Sequence, residues 1–172
     1  VYIFFIGLFI ICWAQIKDYG VTLDDETYYL NGVNTYLYVK HLLLSLFNQE
    51  INLDQLRSKI EGWPITFELF LVFICDVFNI EQIEKVYLAA HRLNFIIFFF
   101  CLIIFYKLVF NRFENILLSL ISIIFFILSP RIFAESFYNS RDIFFMSLFI
   151  FYTYFGYNFI NNKNFSNIII FA

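Results

Sequence analysis

The sequence predicts an all-α, polytopic integral membrane protein with interfacial amphipathic helices in its first outer loop. Two observations carry that class. Apolar residues make up 62% of the 172 and charged residues only 15%, whereas a soluble domain is near half apolar and a quarter charged. The excess is also concentrated: residues 1–16, 93–106, 115–130 and 143–162 contain no Asp, Glu, Lys, Arg or His. Crossing the hydrocarbon layer as a helix takes about 20 mostly apolar residues, and several of these runs reach that length with their flanks.

The first span is placed at about 1–16. It lacks a basic leader and a small-residue cleavage site, which favours a membrane anchor over a signal peptide. A long outer loop follows, 17–85. Within it, 26–47 predicts an amphipathic helix, with Asn31, Asn34, His41 and Ser45 along one stripe and Leu30, Val33, Leu37 and Leu44 along another. Such a helix can lie in the interface plane. Residues 48–62 are charged and loop-like, and Gly62-Trp63-Pro64 is a turn signal. The apolar stretch 64–80 is interrupted by Glu68 and Asp76. A carboxylate at the bilayer centre costs roughly 2.5–3.5 kcal/mol, so 64–80 is read as a second interfacial helix. The loops 17–85 and 130–142 then share one side of the membrane.

The second span is placed at 86–110, with Asn79 as its N-cap, Gln82 three residues on, and Glu81 and Glu84 favouring the positive end of the helix dipole. The third, 114–130, ends at Pro130, which cannot continue the hydrogen-bond ladder and pushes Ser129 out of helical geometry. A fourth covers 142–160 and another starts near 167. Val1 already lies inside an apolar run, so the sequence reads as the N-terminal part of a single membrane domain whose C-terminal remainder is missing. Lys107, Arg112 and Lys163 place the short turns in the cytoplasm and the long loops outside, with Arg131 and Arg141 counting against this.

A net charge of −3 points to no nucleic-acid partner. Cys12, Cys75 and Cys101 sit far apart in apolar runs, as small buried hydrophobes do. His41 and His91 have no metal-ligand spacing with them, and no metal site is assigned. His91-Arg92 reads as an interface anchor.

Two loops carry residues suited to chemistry. The first contains Asp24-Asp25-Glu26 just outside a membrane helix. Neighbouring carboxylates raise one another's pKa, which is one way a carboxylate becomes a general base near neutral pH. The structural alternative is that Asp24 is an N-cap and the other two favour the helix dipole. The second loop gathers Arg131, Glu135, Arg141 and Asp142 at a membrane boundary. Arginine forks suit phosphate oxygens. The alternative is that Ser140 caps the fourth span, Asp142 favours its dipole and the arginines anchor the interface.

Three blocks in order resemble the GT-C class of membrane glycosyltransferases, in the branch of the protein O-mannosyltransferases and aminoarabinose transferases. They are GVTLDDETYY at 20–29, WPITFELF at 63–70 and SPRIFAESFYNSRD at 129–142, with His91-Arg92-Leu93-Asn94 between. The resemblance implies inverting transfer of a sugar from a polyprenyl-phosphate donor to a hydroxyl of a protein, lipid or glycan. A first-loop aspartate would be the general base, with the acidic pair laid on Asp24-Asp25 or on Asp25-Glu26. Glu135 or Asp142 would be the second-loop acid, and Arg131 or Arg141 the partner of the donor phosphate. The resemblance implies no cofactor beyond the lipid-linked sugar donor and leaves dependence on a divalent metal open. It implies a bacterial cytoplasmic membrane with the active loops facing outside. The competing readings are a transporter or channel fragment and a non-catalytic membrane assembly subunit.

Overall fold

A computed structural model of the chain describes residues 1–22, 25–45 and 66–162. The expectations for Asp24, for the 48–62 loop, for the Gly62-Trp63-Pro64 turn and for a helix near 167 lie outside those residues. The described residues are helical throughout, with no strand among them. We label the helices α1 (Tyr2–Gln15), α2 (Asp25–Ser45), α3 (Thr66–Val77), α4 (Ile83–Phe113), α5 (Ile116–Ile127), α6 (Pro130–Tyr138) and α7 (Ser140–Asn162), with a 3-10 turn at Ile16–Asp18 after α1. The chain forms two compact units, one of Val1–Tyr19 with His91–Ala172 and one of Gly20–Ala90.

In the unit of Val1–Tyr19 and His91–Ala172, α1 is apolar around its whole circumference. Its Phe5, Phe9 and Trp13, spaced four apart, meet Tyr106, Phe99 and Phe95 of α4 at ring centroids of 5.0–6.3 Å. Ascending numbers on α1 meet descending ones on α4, so the two helices run antiparallel. Arg92 lies over the Trp13 ring at 5.7 Å, a pairing suited to a membrane interface. His91, expected as an interface anchor beside it, is buried instead.

A two-residue turn joins α4 to α5. Glu114 takes the left-handed conformation (φ 51°) and its N–H donates to Phe110 O, the role glycine usually fills at a helix C-terminus. Asn115 then caps α5, its Oδ1 accepting from Leu118 N at 3.0 Å. α5 returns along α4, with Phe126 against Phe98 and Phe105. It stops at Ile127, because Ser129 is extended before Pro130. The same proline opens α6, where its missing N–H costs nothing. The α5 and α6 axes differ by 71°. α7 then runs parallel to α4: Cys101 meets Ser147 at one level, and further along both helices Asn111 Nδ2 donates to Asn158 Oδ1 and Tyr157 Oη donates to Asn111 O.

Among the described residues two helices are long and apolar enough to cross a membrane, Ile83–Phe113 and Ser140–Asn161, and α5 with α6 makes a third if the bent pair counts as one span. The expected spans at 1–16 and 114–130 correspond to shorter helices. α1 has 14 residues and α5 has 12, about 21 and 18 Å long. Large apolar side chains face outward on α5 and α7, among them Phe125 (72% exposed), Phe145 (73%) and Phe149 (65%). A water-facing surface rarely carries so much contiguous apolar area. The polar contacts at Asn94 and Asn111 are about 26 Å apart along α4, close to the hydrocarbon thickness of a bilayer.

In the unit of Gly20–Ala90, α2 packs on α3. The arrangement inverts the usual amphipathic sense. Asn31 and Thr35 are buried, with Thr35 Oγ1 donating to Asn31 O, while Leu30 and Leu43 are exposed. The polar stripe thus turns inward at Asn31. Glu68 is buried on the facing side of α3, and Gly32 makes room for it. Asn79 is not the N-cap of α4. It is the left-handed residue (φ 51°) that ends α3, with Ile80 N bonded to Cys75 O and Asn79 N to Asp76 O. That is the Schellman pattern, in which asparagine can replace glycine. The cap position of α4 falls to Gln82, whose carbonyl accepts from Val86 N. Cys12, Cys75 and Cys101 are buried free thiols.

Candidate functional site

The first-loop acids stand at the N-terminus of α2, where acidic side chains complement the helix dipole. Asp25 and Glu26 occupy the first turn. Asp25 Oδ2 accepts from Thr22 N at 2.7 Å, and Asp25 N–H donates to Thr22 O at 3.3 Å. A side chain reaching back three residues to an unpaired N–H is one half of a capping box. One oxygen of Asp25 therefore has a structural task. Glu26 is exposed.

The second-loop residues lie on α6 and at the start of α7, in the other unit. Proline at N1 sets the helix, and Phe133, Ser136 and Phe137 turn inward. Phe137 stacks between Tyr19 (4.4 Å) and Phe95 (5.6 Å). Arg131 and Glu135 lie one turn apart on the outer edge and form an ion pair, Arg131 Nε to Glu135 Oε1 at 2.8 Å. The Arg131 side chain is 81% exposed and that of Glu135 16%. The bond to Glu135 holds the Arg131 guanidinium protonated, raising its pKa above the ordinary arginine value. Asp142 belongs to a cap: Asn139 Nδ2 donates to Asp142 Oδ2 at 2.9 Å, and Asp142 N–H donates to Asn139 Oδ1 at 3.2 Å. Asn139, rather than the expected Ser140, is therefore the capping residue of α7. Arg141 is half-buried, with Nε and Nη2 shielded. Of the four second-loop candidates, Arg131 and Glu135 are the pair on the exposed edge.

Sequence reading missed the residue that holds α6 in place. Asn94 Nδ2 donates to Glu135 O at 3.2 Å and Ser136 O at 3.0 Å. Those carbonyls are in the last turn of a nine-residue helix, where intrahelical donors run out. Asn94 is 1% exposed, so its amide clamps the helix end from inside. Glu135 O also accepts from Asn139 N at 2.9 Å, so Asn94→Leu leaves Ser136 O as the unmatched acceptor and should destabilise the α6 region by about 1–3 kcal/mol. Hydrogen exchange should show faster exchange of the α6 amides, with the middle of α7 unchanged. The sequence signal was a lone amide in an otherwise apolar run.

A second cluster lies between α2 and α3. Tyr36 Oη donates to Asp76 Oδ2 at 2.7 Å, and Lys40 Nζ reaches the same oxygen at 3.1 Å. Both Lys40 and Asp76 side chains are 48% exposed. The Tyr36 hydroxyl first, and the Lys40 ammonium second, hold the Asp76 carboxyl below the ordinary 3.8. A carboxyl depressed in the folded state contributes stability above its unfolded pKa and loses it as pH falls through the folded one. The α2–α3 contact should therefore weaken only below about pH 4 through this group. Asp76→Asn should flatten that acid limb in pH-dependent unfolding.

At the far end of α4, a cleft of ≈ 630 Å³ is lined by Asn111, Glu114, Tyr157 and Asn158. Among the described residues no group of three or more His, Cys, Asp and Glu is placed to hold a metal ion. No protein-family model, curated protein or solved structure matches the chain.

Proposed function

We propose that the chain is the membrane-embedded part of a glycosyltransferase, moving a sugar from a polyprenyl-phosphate donor to a hydroxyl acceptor at the outer face of a bacterial cytoplasmic membrane. The reading rests on the resemblance of blocks 20–29, 63–70 and 129–142. The observation that supports it best is the edge of α6. There the Arg131 side chain is 81% exposed at the start of α6 and is paired with the largely buried Glu135. That bond uses the guanidinium Nε, so its other N–H groups can take the singly charged phosphodiester of the donor and then the more highly charged phosphate that leaves.

In this reaction a carboxylate of Asp25 or Glu26 takes the proton of the acceptor hydroxyl. The acceptor oxygen bonds to the anomeric carbon as the bond from that carbon to the phosphate oxygen breaks on the opposite face. Configuration inverts, and the lipid phosphate leaves with its electron pair. Arg131 stabilises the charge growing on that phosphate, an effect that is large where water is scarce. Asp24, adjacent in sequence, is the other candidate base. Glu135 fixes the Arg131 side chain until donor binds. The carboxylates on α2 and the arginine on α6 must then face the same side of the membrane. α3 supports this requirement through Glu68 and Asp76, since each carboxylate placed at the bilayer centre costs roughly 2.5–3.5 kcal/mol.

Single reporter cysteines at Thr27, which is exposed, and at Arg131 test the reading in a background where Cys12, Cys75 and Cys101 are replaced. Ser136 is unsuitable because it is fully buried. A membrane-impermeant thiol reagent on intact cells should label both positions. Labelling of only one would put the two loops on opposite faces and end the proposal.

A further inference from the structure

The cleft at the far end of α4 has no part in the transfer reaction. Asn94, which holds α6, and Asn111, which lines the cleft, stand at opposite ends of the apolar length of α4. In a bilayer crossed by α4, the cleft therefore opens on the surface opposite the α6 edge. Its volume of ≈ 630 Å³ falls within the range of small-ligand sites.

The hydrogen bonds already made there leave particular groups open. Asn111 Nδ2 donates to Asn158 Oδ1, so Asn111 Oδ1 is left to accept and Asn158 Nδ2 to donate. Exchanging oxygen and nitrogen in both amides leaves the same pair, one open carbonyl and one open amino group. Tyr157 Oη donates its proton to Asn111 O and keeps its lone pairs. Glu114 is exposed and forms no ion pair with a described residue. The lining thus joins the acceptors Asn111 Oδ1, Tyr157 Oη and the Glu114 carboxylate, and its formal charge is negative. A primary ammonium brings N–H donors and a positive charge to match.

A second charge lies in line with the first. Lys107, Asn111 and Glu114 follow one another at the i, i+4, i+7 spacing that keeps residues on one stripe of a helix. Lys107 is exposed and likewise has no ion pair with a described residue, and its long stem lets the ammonium reach toward the bilayer surface. From the hydrocarbon outward the order is cation, amide, carboxylate. An amine-bearing phospholipid has the complementary order, phosphate nearer the hydrocarbon and ammonium further out. Arg112 lies about 100° round the helix from Asn111 and does not line the cleft.

We propose that this cleft holds the headgroup of a phospholipid with a primary ammonium, of the phosphatidylethanolamine kind. The ammonium donates to Glu114, Asn111 Oδ1 and Tyr157 Oη. The phosphate accepts from Lys107 and Asn158 Nδ2, and the glycerol rests on Phe110. The site requires α4 to cross the bilayer and requires no step of sugar transfer.

The test is native mass spectrometry of the whole protein in detergent micelles, titrated with dioleoyl lipids that differ only in headgroup. Phosphatidylcholine keeps both charges but has no N–H, and phosphatidylglycerol keeps the phosphate without the cation. Phosphatidylethanolamine should bind about tenfold more tightly than either. Glu114→Gln should bring it to the level of phosphatidylcholine. Lys107→Gln should weaken phosphatidylethanolamine and phosphatidylcholine alike and leave their ratio unchanged. Both side chains are exposed, so neither substitution disturbs helix packing. Equal binding of phosphatidylethanolamine and phosphatidylcholine by the wild type, tighter binding of phosphatidylglycerol, a preference that survives Glu114→Gln, or unchanged binding of both zwitterionic lipids in Lys107→Gln would overturn the proposal.

Discussion

Asp25→Asn should lower sugar transfer by about 10²–10⁴-fold, the usual contribution of a positioned general base, while leaving the first turn of α2 in place. The substitution separates two roles that one carboxylate can hold. Asn keeps an oxygen that can accept from Thr22 N, the 2.7 Å bond now made by Asp25 Oδ2, so the turn survives. It cannot take a proton from an acceptor hydroxyl. Asp25→Ala removes both functions and should also cost about 0.5–2 kcal/mol in helix stability. Transfer from polyprenyl-phosphate sugar, measured in membranes alongside thermal unfolding, distinguishes the cases. If Asn and wild type transfer equally well, Asp25 is a cap and the base is elsewhere. A parallel Glu26→Gln variant then shows whether its exposed neighbour holds the role.

Gly32→Ala should destabilise the α2–α3 pair by about 1–3 kcal/mol, the cost of forcing a methyl group into filled space. A Cβ there would stand 2.7 Å from Glu68 Cβ and 3.2 Å from the Glu68 backbone carbon. Neither atom is the end of a flexible side chain, so relief requires the helices to part. Helix propensity acts in the opposite direction, since Ala is better than Gly by about 1 kcal/mol in a helix interior. Gly7 in α1 provides the control. Nothing lies within 4 Å of a Cβ added there, so Gly7→Ala should gain up to about 1 kcal/mol. Unfolding in mixed detergent micelles should move the two variants in opposite directions. Equal shifts would mean that packing at Gly32 is looser than its distances indicate.

The helical class was legible because the signal is long-range and redundant: four runs without a charged residue leave little else for the chain to form. Boundaries were legible where a single residue dictates backbone geometry, as Pro130 does by extending Ser129. They were not legible where two residues compete for one role. Asn79 looks like an N-cap to α4 on one side and a left-handed terminator to α3 on the other. The hydrogen bonds from Ile80 and Asn79 back to Cys75 and Asp76 decide for the second. Asn139 and Ser140 posed the same choice, and the reciprocal pairing with Asp142 decides for Asn139.

The candidate site divides in a similar way. Charged pairs one helical turn apart, such as Arg131 and Glu135, can be inferred from spacing alone. Contacts such as Tyr36 with Asp76, or Asn94 with the carbonyls of α6, join residues roughly 40 apart in sequence, and no local pattern encodes them. The facing of α2 could not be read from its two stripes for a related reason. Amphipathic reasoning assumes water outside, whereas Asn31 and Thr35 bury their polarity and leave Leu30 and Leu43 at the surface. That distribution suits a helix with apolar surroundings.

The break before Pro130 also has a consequence for the lipid. Ile124 O still accepts from Leu128 N at 2.8 Å, but the three carbonyls after it in α5 have no further turn of helix to bond to, and hydrocarbon offers them no hydrogen bond in exchange. Water or headgroups must therefore reach the level of Ser129. If α5 and α6 cross as one bent span, the apolar length of α5, about 18 Å, requires a thinner bilayer beside it than beside α4 or α7. Under the proposed transfer reaction, a thinned rim of this kind would shorten the distance that the phosphate of a long-chain lipid travels from the headgroup plane to the edge of α6.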